Sequence, residues 1–405
     1  MKRGYLSQYF KGIAAKKLSA VEADATRSNQ HEFNGVAALK DLFGTGKQVF
    51  DSKFVYLSDN DDEPVVDTGC LTWYDARANH PKRTEHRLYF PTTAVTVCAA
   101  EGDMLFIGLR PDNTLLVIIT ENGSTIGNQL QWLFGIEDTS HPGFSVREEL
   151  ESEQDRIEFA SRFILEQLGI VVEENETTYL DKMLDLFQGK FPPTKEFSAF
   201  ARSTLNDLSP LDDPDIVIMS WMEREEILFR TLERFLIADR LYQGFNGDVD
   251  GFIKFSLSVQ NRRKSRVGQA LENHVEQLFI ARNIRYDRTR ITENKSRPDF
   301  IFPGIAQYHD SSFNVAMLTM LGVKSTCKDR WRQVLTEAAR IENKHLLTLE
   351  TAISENQIDE MRASHLQLVV PYGLHDTYSA SQKEWLMNMK DFIHLVSRKQ
   401  EIGSA

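Results

Sequence analysis

Between residues 49 and 120 the chain repeatedly alternates apolar and polar positions or runs apolar for a few residues, the period-two signature of strands. The segments are Val49–Leu57, Cys70–Tyr74, Arg87–Phe90, Thr93–Ala99, Met104–Leu109 and Thr114–Thr120, with turn residues at Pro111-Asp112-Asn113 and Glu121-Asn122-Gly123. Short strands at this rhythm predict a mostly-β barrel or sandwich. The pattern then changes. Arg147 to Asn175 is carboxylate-rich with helical spacing of Phe159, Phe163, Ile164 and Leu168, and Gln188 to Pro193 ends on a proline pair. After the polar, proline-bearing stretch Ser209 to Asp215, an apolar helix runs from Ile216 to Leu241. A first domain is therefore expected over 1–175, a connector over 176–208 and a second domain over 209–405.

In the second domain an apolar strand ends at Gly322-Val323-Lys324 and a helix-forming run follows. Trp331, Val334, Leu335, Ala338 and Ile341 make its apolar stripe, with Glu337 beside the stripe on the edge shared by Arg330 and Lys344. Helical spacing places Glu337 where it can reach the end of the strand.

Composition narrows the class. The 405 residues carry a net charge of -12 and three cysteines, Cys70, Cys98 and Cys327, without metal-ligand or disulfide spacing. No apolar run approaches membrane length, and Met1 to Gln8 lacks the apolar core of a signal peptide, so a cytoplasmic protein with no membrane partner is expected. The charge is unevenly divided: Gly251 to His345 holds 17 Lys and Arg against 9 Asp and Glu, a net of +8, which leaves -20 for the remainder. Positive potential concentrated in one region fits phosphate contact, while the acidic remainder limits indiscriminate binding.

That basic region also holds the candidate chemistry. Asp299, in Pro298-Asp299-Phe300, and Glu337 supply the oxygen ligands that a hard divalent ion such as Mg²⁺ takes, and the Val323 carbonyl could add another. Lys324 supplies a cation to orient an attacking water and stabilise charge on a phosphorane-like transition state. Together they form the parts of a phosphodiesterase site. The usual signature has an acid two residues before the lysine, where this chain has Gly322; Glu337 is expected to replace it. Glu272 could complete the acidic site, with Glu276 one turn further along competing for that role.

Two strings, Ser325-Thr326-Cys327-Lys328-Asp329-Arg330-Trp331-Arg332-Gln333 and Asn261-Arg262-Arg263-Lys264-Ser265-Arg266-Val267-Gly268-Gln269-Ala270-Leu271-Glu272, resemble the EcoRII-like type II restriction endonucleases. The likeness is looser to the SsoII and PspGI group of PD-(D/E)XK enzymes. It runs from about Glu223 to Tyr372 and takes in Tyr308-His309-Asp310 and Leu368-Val369-Val370-Pro371. It implies a restriction-endonuclease-like α/β/α domain with a central mixed sheet, acting as a homodimer. The expected activity is Mg²⁺-dependent cleavage of double-stranded DNA at a short CCWGG-like palindrome, leaving 5′-phosphate and 3′-hydroxyl ends. A cognate methyltransferase would act on the same site without forming a stable complex. Tyr308 joins Asp299, Lys324, Glu337 and Glu272 as a catalytic candidate; Arg262, Arg263, Lys264, Arg266, Lys328, Asp329 and Arg330 are candidate DNA contacts. Of these, Lys328, Asp329 and Arg330 are expected to read C·G pairs, cations donating to guanine and the carboxylate accepting from cytosine.

In the first domain, Lys17 through Gln30 and Arg83-Thr84-Glu85-His86-Arg87 resemble that family's amino-terminal effector domain, a β-pseudobarrel related to the plant B-three DNA-binding domain. The likeness implies two DNA-clasping arms. One would hold Arg27, Ser28, Asn29, Gln30 and His31; the other would run from Asn79 to Arg87 with Arg83, Glu85 and His86. Such side chains in loops read base edges and grip phosphate. Two alternatives remain open from sequence: a modification-dependent or phage-defence nuclease with the same active site, and a non-cleaving DNA-binding regulator.

Overall fold

The computed structural model of the chain describes residues 4–23, 31–34, 36–59, 63–80, 82–136, 139, 142–172, 177–327 and 330–403. It divides into two compact units, Met1–Val171 with Thr351–Asn356, and Val172–Glu350 with Gln357–Ala405.

The first unit is built on eight strands: β1 (Gly12–Lys17), β2 (Glu32–Phe33), β3 (Gln48–Leu57), β4 (Val65–Asp75), β5 (His86–Tyr89), β6 (Met104–Leu109), β7 (Leu115–Thr120) and β8 (Ser145–Arg147). Their order is β2-β5-β4-β3-β7-β6-β1-β8, antiparallel except for the parallel pair β3–β7. Every residue of β6 and β7 is buried, which explains why these strands read as continuous apolar runs rather than alternating ones. Phe54, Leu71, Trp73, Leu105, Ile107 and Val117 lie in the core of this sheet.

One expected strand is a helix. Thr93–Ala99 contains β-branched residues in series, yet Ala94–Cys98 is helical. Thr93 Oγ1 accepts from the Thr96 N–H at 3.1 Å and Thr96 Oγ1 accepts from the Thr93 N–H at 2.8 Å, a reciprocal capping box. The Ala94 N–H is taken by Asp67 at 2.8 Å. Satisfying these helix-start donors outweighs the modest strand propensity of valine and threonine.

The second unit joins a helical bundle to a five-stranded sheet. The helices Pro214–Gln243 and Val249–Ala281, of 30 and 33 residues, are each started by an aspartate: Asp213 accepts from the Asp215 N–H at 3.1 Å and Asp248 from the Gly251 N–H at 2.9 Å. The stretch read as a connector contains two helices, Leu180–Phe187 and Thr194–Ser203. Their Met183, Phe197 and Phe200 share a core with Leu228, Phe229 and Leu232 of the first long helix.

The sheet consists of β9 (Asp287–Arg288), β10 (Phe300–Phe302), β11 (Thr319–Lys324), β12 (Lys344–Thr348) and β13 (Leu366–Val369), in the order β13-β12-β11-β10-β9. It is mixed: β9, β10 and β11 are antiparallel neighbours, and β11, β12 and β13 run parallel.

Asp215, in the first turn of a long helix, anchors the end of this sheet. Its buried carboxylate accepts from the backbone N–H groups of Tyr372 (3.1 Å), Met389 (2.8 Å) and Lys390 (3.1 Å). Asp215→Ala would leave the buried Met389 donor, and the part-buried donors of Tyr372 and Lys390, without that acceptor, and a buried unsatisfied donor costs roughly 1–3 kcal/mol. We expect it to lower the unfolding free energy of the second unit by at least about 2 kcal/mol in denaturant titration, while Asp215→Asn retains part of that stability.

Candidate active site

The antiparallel register of β10 on β11 pairs Phe300 with Leu321, so the chain enters β10 with Asp299 beside the end of β11. Asp299 Oδ2 accepts from the Val323 N–H and from Lys324 Nζ, both at 2.7 Å. The two charged side chains are 13% exposed each, and the pair is therefore largely shielded from water. The Asp299 carbonyl accepts from the Thr289 N–H at 3.1 Å, fastening the start of β10 to the end of β9.

Gly322 stands where an acid is usual, and packing explains the glycine. A Cβ there would lie 3.0 and 3.1 Å from the two methyls of Val334. Valine occupies the volume that a strand-borne acid would need.

Glu337 reaches the site by a different route from the one expected. The helix spans only Trp331–Leu335, and Glu337 lies in the turn beyond it, its N–H donating to the Val334 carbonyl at 3.1 Å. Ala338 follows with φ +47°, which no helix continues through. The next N–H groups leave the helical ladder: Ala339 donates to Glu293 Oε2 at 3.3 Å and Arg340 to the Tyr308 hydroxyl at 3.2 Å. The expected stripe nevertheless packs inward, with Trp331, Val334, Ala338 and Ile341 all buried.

Burial, reinforced by the nearby negative charge of Asp299, pushes the Glu337 carboxyl up to about 7; Lys324 and Lys344 oppose the rise. Its Oε2 is buried and accepts no hydrogen bond. Glu272, on the helix Val249–Ala281, is raised for the same two reasons, burial and then Asp299, against the pull of Arg288. Glu337 and Glu272 thus both respond to Asp299, with Lys324 as a shared counter-charge.

The donor set suits a hard divalent ion. Among the described residues no three His, Cys, Asp or Glu side chains gather closely enough to hold a metal by themselves. Magnesium-type sites commonly use one or two carboxylates and take their remaining oxygens from water and substrate phosphate. Asp299 and Glu337 supply that number, and the orphaned Oε2 of Glu337 is an oxygen in need of a partner.

The other candidates are placed less uniformly. Tyr308 is fully buried, its hydroxyl donating to Glu293 at 2.5 Å, and burial raises its phenol well above the ordinary range. It braces the turn that carries Glu337 rather than bonding Asp299 or Lys324. Arg266, expected at a DNA surface, is instead buried among the helices, stacked on Phe197 and Phe229 and bonded to the Pro192 carbonyl at 3.2 Å. Arg262 lies 3.8 Å over the Phe191 ring and Arg263 pairs with Glu233 at 2.6 Å. Lys264 and Arg330 are exposed; Lys328 and Asp329 lie outside the described residues.

In the first unit, Arg27, Ser28, Asn29 and Gln30 also lie outside the described residues, and His31 packs edge-on to Tyr89 and Phe90. Asn79 and Arg83 are exposed. Glu85 pairs with Arg87 at 2.9 Å, and Arg87 with Glu32 at 3.0 Å. His86 is a correction to the expected base-reading set: it is buried, stacked on Trp73 with centroids 4.8 Å apart, and its Nε2 contacts the Thr45 carbonyl at 3.1 Å. Strand alternation turns His86 inward and leaves Glu85 and Arg87 on the other face.

Arg288 was not foreseen. It is bonded to Glu272, Asn273 and Glu276, and the available signal was two glutamates one helical turn apart, a like-charge pair that calls for a cation.

The aspartate that precedes β10, the lysine that ends β11 and a second acid from the turn beyond Trp331–Leu335 thus share one neighbourhood. Residues 229–393 match the family model described as EcoRII C terminal. The type II restriction enzyme EcoRII of Escherichia coli is 44% identical over 207 residues, 50% of this chain and 50% of that protein. The resemblance to the EcoRII-like type II restriction endonucleases is thereby shown for that portion; the chain spans about half the length of this curated relative. Among solved structures, metal-depleted Ecl18kI in complex with uncleaved, modified DNA gives a TM-score of 0.46 at 17% identity, covering 56% of this chain and 85% of that one. The PspGI restriction endonuclease–substrate DNA complex gives 0.43 at 19% identity, covering 51% and 94%.

The raised Glu337 has a consequence for stability. A carboxyl whose folded pKa lies above its unfolded value favours the fold at low pH, and that contribution is lost as pH rises through about 7. In metal-free buffer, Glu337→Gln should therefore raise Tm relative to the native chain at pH 8 and change it little at pH 5. Equal shifts at both pH values would show that Glu337 is not held in this environment.

Proposed function

We propose that the chain is a type II restriction endonuclease that hydrolyses phosphodiester bonds of duplex DNA at a short CCWGG-like palindrome. The observation that carries this reading is the Asp299–Lys324 pair at the end of β11, with Glu337 brought beside it, inside the region that matches the EcoRII C-terminal family. Asp299 and Glu337, with the Val323 carbonyl, would hold Mg²⁺. When bound there, the ion would supply Lewis-acid stabilisation of charge on the phosphate. Lys324 would orient the attacking water and stabilise the transition state. Exposed Arg330, six residues after Lys324, would read a C·G pair, and exposed Lys264 would contact phosphate.

A homodimer is proposed from the long helices. Phe235, Leu241, Tyr242, Phe252, Ile253 and Leu257, all on the two long helices, are about half exposed or more, and apolar side chains left in water favour cover by a partner. A second copy would cover them and place a second active site on the opposite strand of a palindrome. The eight-stranded sheet would be the B-three-like effector pseudobarrel, contacting a further DNA site through the loop that bears Asn79 and Arg83. A cognate methyltransferase would protect the same sequence.

Lys324→Ala should abolish Mg²⁺-dependent cleavage and keep specific DNA affinity within about tenfold, because most affinity comes from phosphate contacts elsewhere. Plasmid digestion with sequencing of the ends, and a gel-shift titration, check both halves; robust cleavage by the variant would overturn the assignment of the site. If the effector unit gates catalysis, a fragment beginning at Ser209 should cut one-site plasmid faster than the full chain does, and Arg83→Ala should weaken effector binding alone. Equal rates on one-site and two-site plasmids for both proteins would exclude gating.

A further inference from the structure

The turn that carries Glu337 is held by side chains to which the reading above gives no task. Upstream, the Glu337 N–H donates to the Val334 carbonyl at 3.1 Å, and the Val334 methyls pack against Gly322, two residues before Lys324. Downstream, the chain leaves the helical ladder at Ala338, which is buried and has φ +47°. The next two N–H groups are both taken by side chains: Ala339 donates to Glu293 Oε2 at 3.3 Å and Arg340 to the Tyr308 hydroxyl at 3.2 Å.

These two acceptors are bonded to each other. The Tyr308 hydroxyl donates to the same Glu293 Oε2 at 2.5 Å, so its single proton is committed and a lone pair is left for Arg340. Successive hydrogen bonds polarise one another, and a hydroxyl that donates to a carboxylate is the better acceptor for it. Arg340 closes the ring: its guanidinium donates to the carbonyls of Tyr308 and Asp310, the latter at 3.0 Å, where the helix Ile305–His309 ends. Tyr308 is fully buried, whereas Glu293 is exposed. The clasp therefore fixes two consecutive backbone donors immediately after a left-handed alanine, a conformation that persists only where its surroundings hold it.

We propose that Glu293 and Tyr308 are positioning residues that set the place of the Glu337 carboxylate, and so its fitness as a metal ligand, through the backbone of the turn between them. This rests on the reading of Asp299 and Glu337 as ligands of a divalent ion. With two carboxylates and the remaining oxygens drawn from water and phosphate, a displaced ligand has no protein substitute. Groups that orient a metal's ligands commonly govern roughly 10–100-fold in affinity.

The test is calorimetric titration of Mn²⁺ into the full-length protein, free of metal and DNA, a measurement independent of cleavage. Tyr308→Phe removes the hydroxyl and keeps the ring, and should weaken Mn²⁺ binding about tenfold. Glu293→Ala should weaken it to a similar degree, while Glu293→Gln, which keeps an acceptor oxygen, should stay within about threefold of native. In a Glu337→Gln background, itself weakened, neither Tyr308→Phe nor Glu293→Ala should cost more than about twofold further, since the carboxylate they position is gone. Equal losses with and without that carboxylate would show that the two residues act by another route, and native affinity in either folded single variant would show that the clasp positions nothing; each result overturns the proposal. So does a Glu293→Gln as weak as Glu293→Ala, which would make the charge of Glu293 the cause. Should Tyr308→Phe not fold, the substitutions at exposed Glu293 still decide the question. Glu337→Gln alone tests the underlying reading: undiminished Mn²⁺ binding there would remove Glu337 from the metal and the proposal with it, whereas a weakened Glu337→Gln beside native-like clasp variants would sink the proposal alone.

Discussion

One oxygen sets the terms for the active region. Asp299 Oδ2 receives a backbone N–H from Val323 and the ammonium of Lys324 at the same 2.7 Å distance, so the carboxylate is held from both the strand and the side chain it must serve. That geometry exists only in one pairing of β10 with β11. A slip of one residue would exchange the faces of every side chain along the strand and carry Lys324 away from its partner. The buried residues of β11 enforce the register, because Thr319 through Val323 have no exposed face to turn outward. Burial raises both Glu337 and Glu272, and the charge of Asp299 adds to the rise in each.

The helices beneath this sheet use their cations differently from what their abundance suggests. Arg262, Arg263 and Arg266 lie along one helix, and their guanidinium groups are occupied by Phe191, Glu233, and the Phe197–Phe229 pair. Arginine is weakly hydrated and planar, and it can cover an aromatic face while its donors reach carboxylates and carbonyls. A local excess of positive charge therefore divides between the inside and the outside of the fold. Exposed Lys264 and Arg330 belong to the outside portion.

Much of the site was legible because its residue types are chemically restricted. Asp299, Lys324 and Glu337 were identifiable from the need for oxygen ligands and a cation near a strand end, and the structure brings all three into one electrostatic environment. What sequence patterning missed depends on partners far along the chain. The helical period suggested a continuous helix through Ile341, but Tyr308 and Glu293 capture the N–H groups of Arg340 and Ala339 and the chain turns at Ala338. The strand-like run at Thr93–Ala99 gave way to a two-threonine cap. The helical packing of Leu180–Phe187 and Thr194–Ser203 was hidden because their apolar faces make sense only against the long helix that follows. His86 and Arg266 have residue types common at DNA surfaces, and only their burial reveals a packing role.

The closeness of Gly322 and Val334 ties the two positions together. With the valine methyls 3.0 and 3.1 Å from where a Cβ would stand, a side chain at 322 requires Val334 to give way by a few tenths of an ångström. Shrinking the valine first would open a void in the core, and enlarging the glycine first would overpack it; each intermediate is less stable than either end point. Two individually ordinary residues thus constrain each other: packing alone keeps position 322 without a side chain for as long as Val334 holds its place.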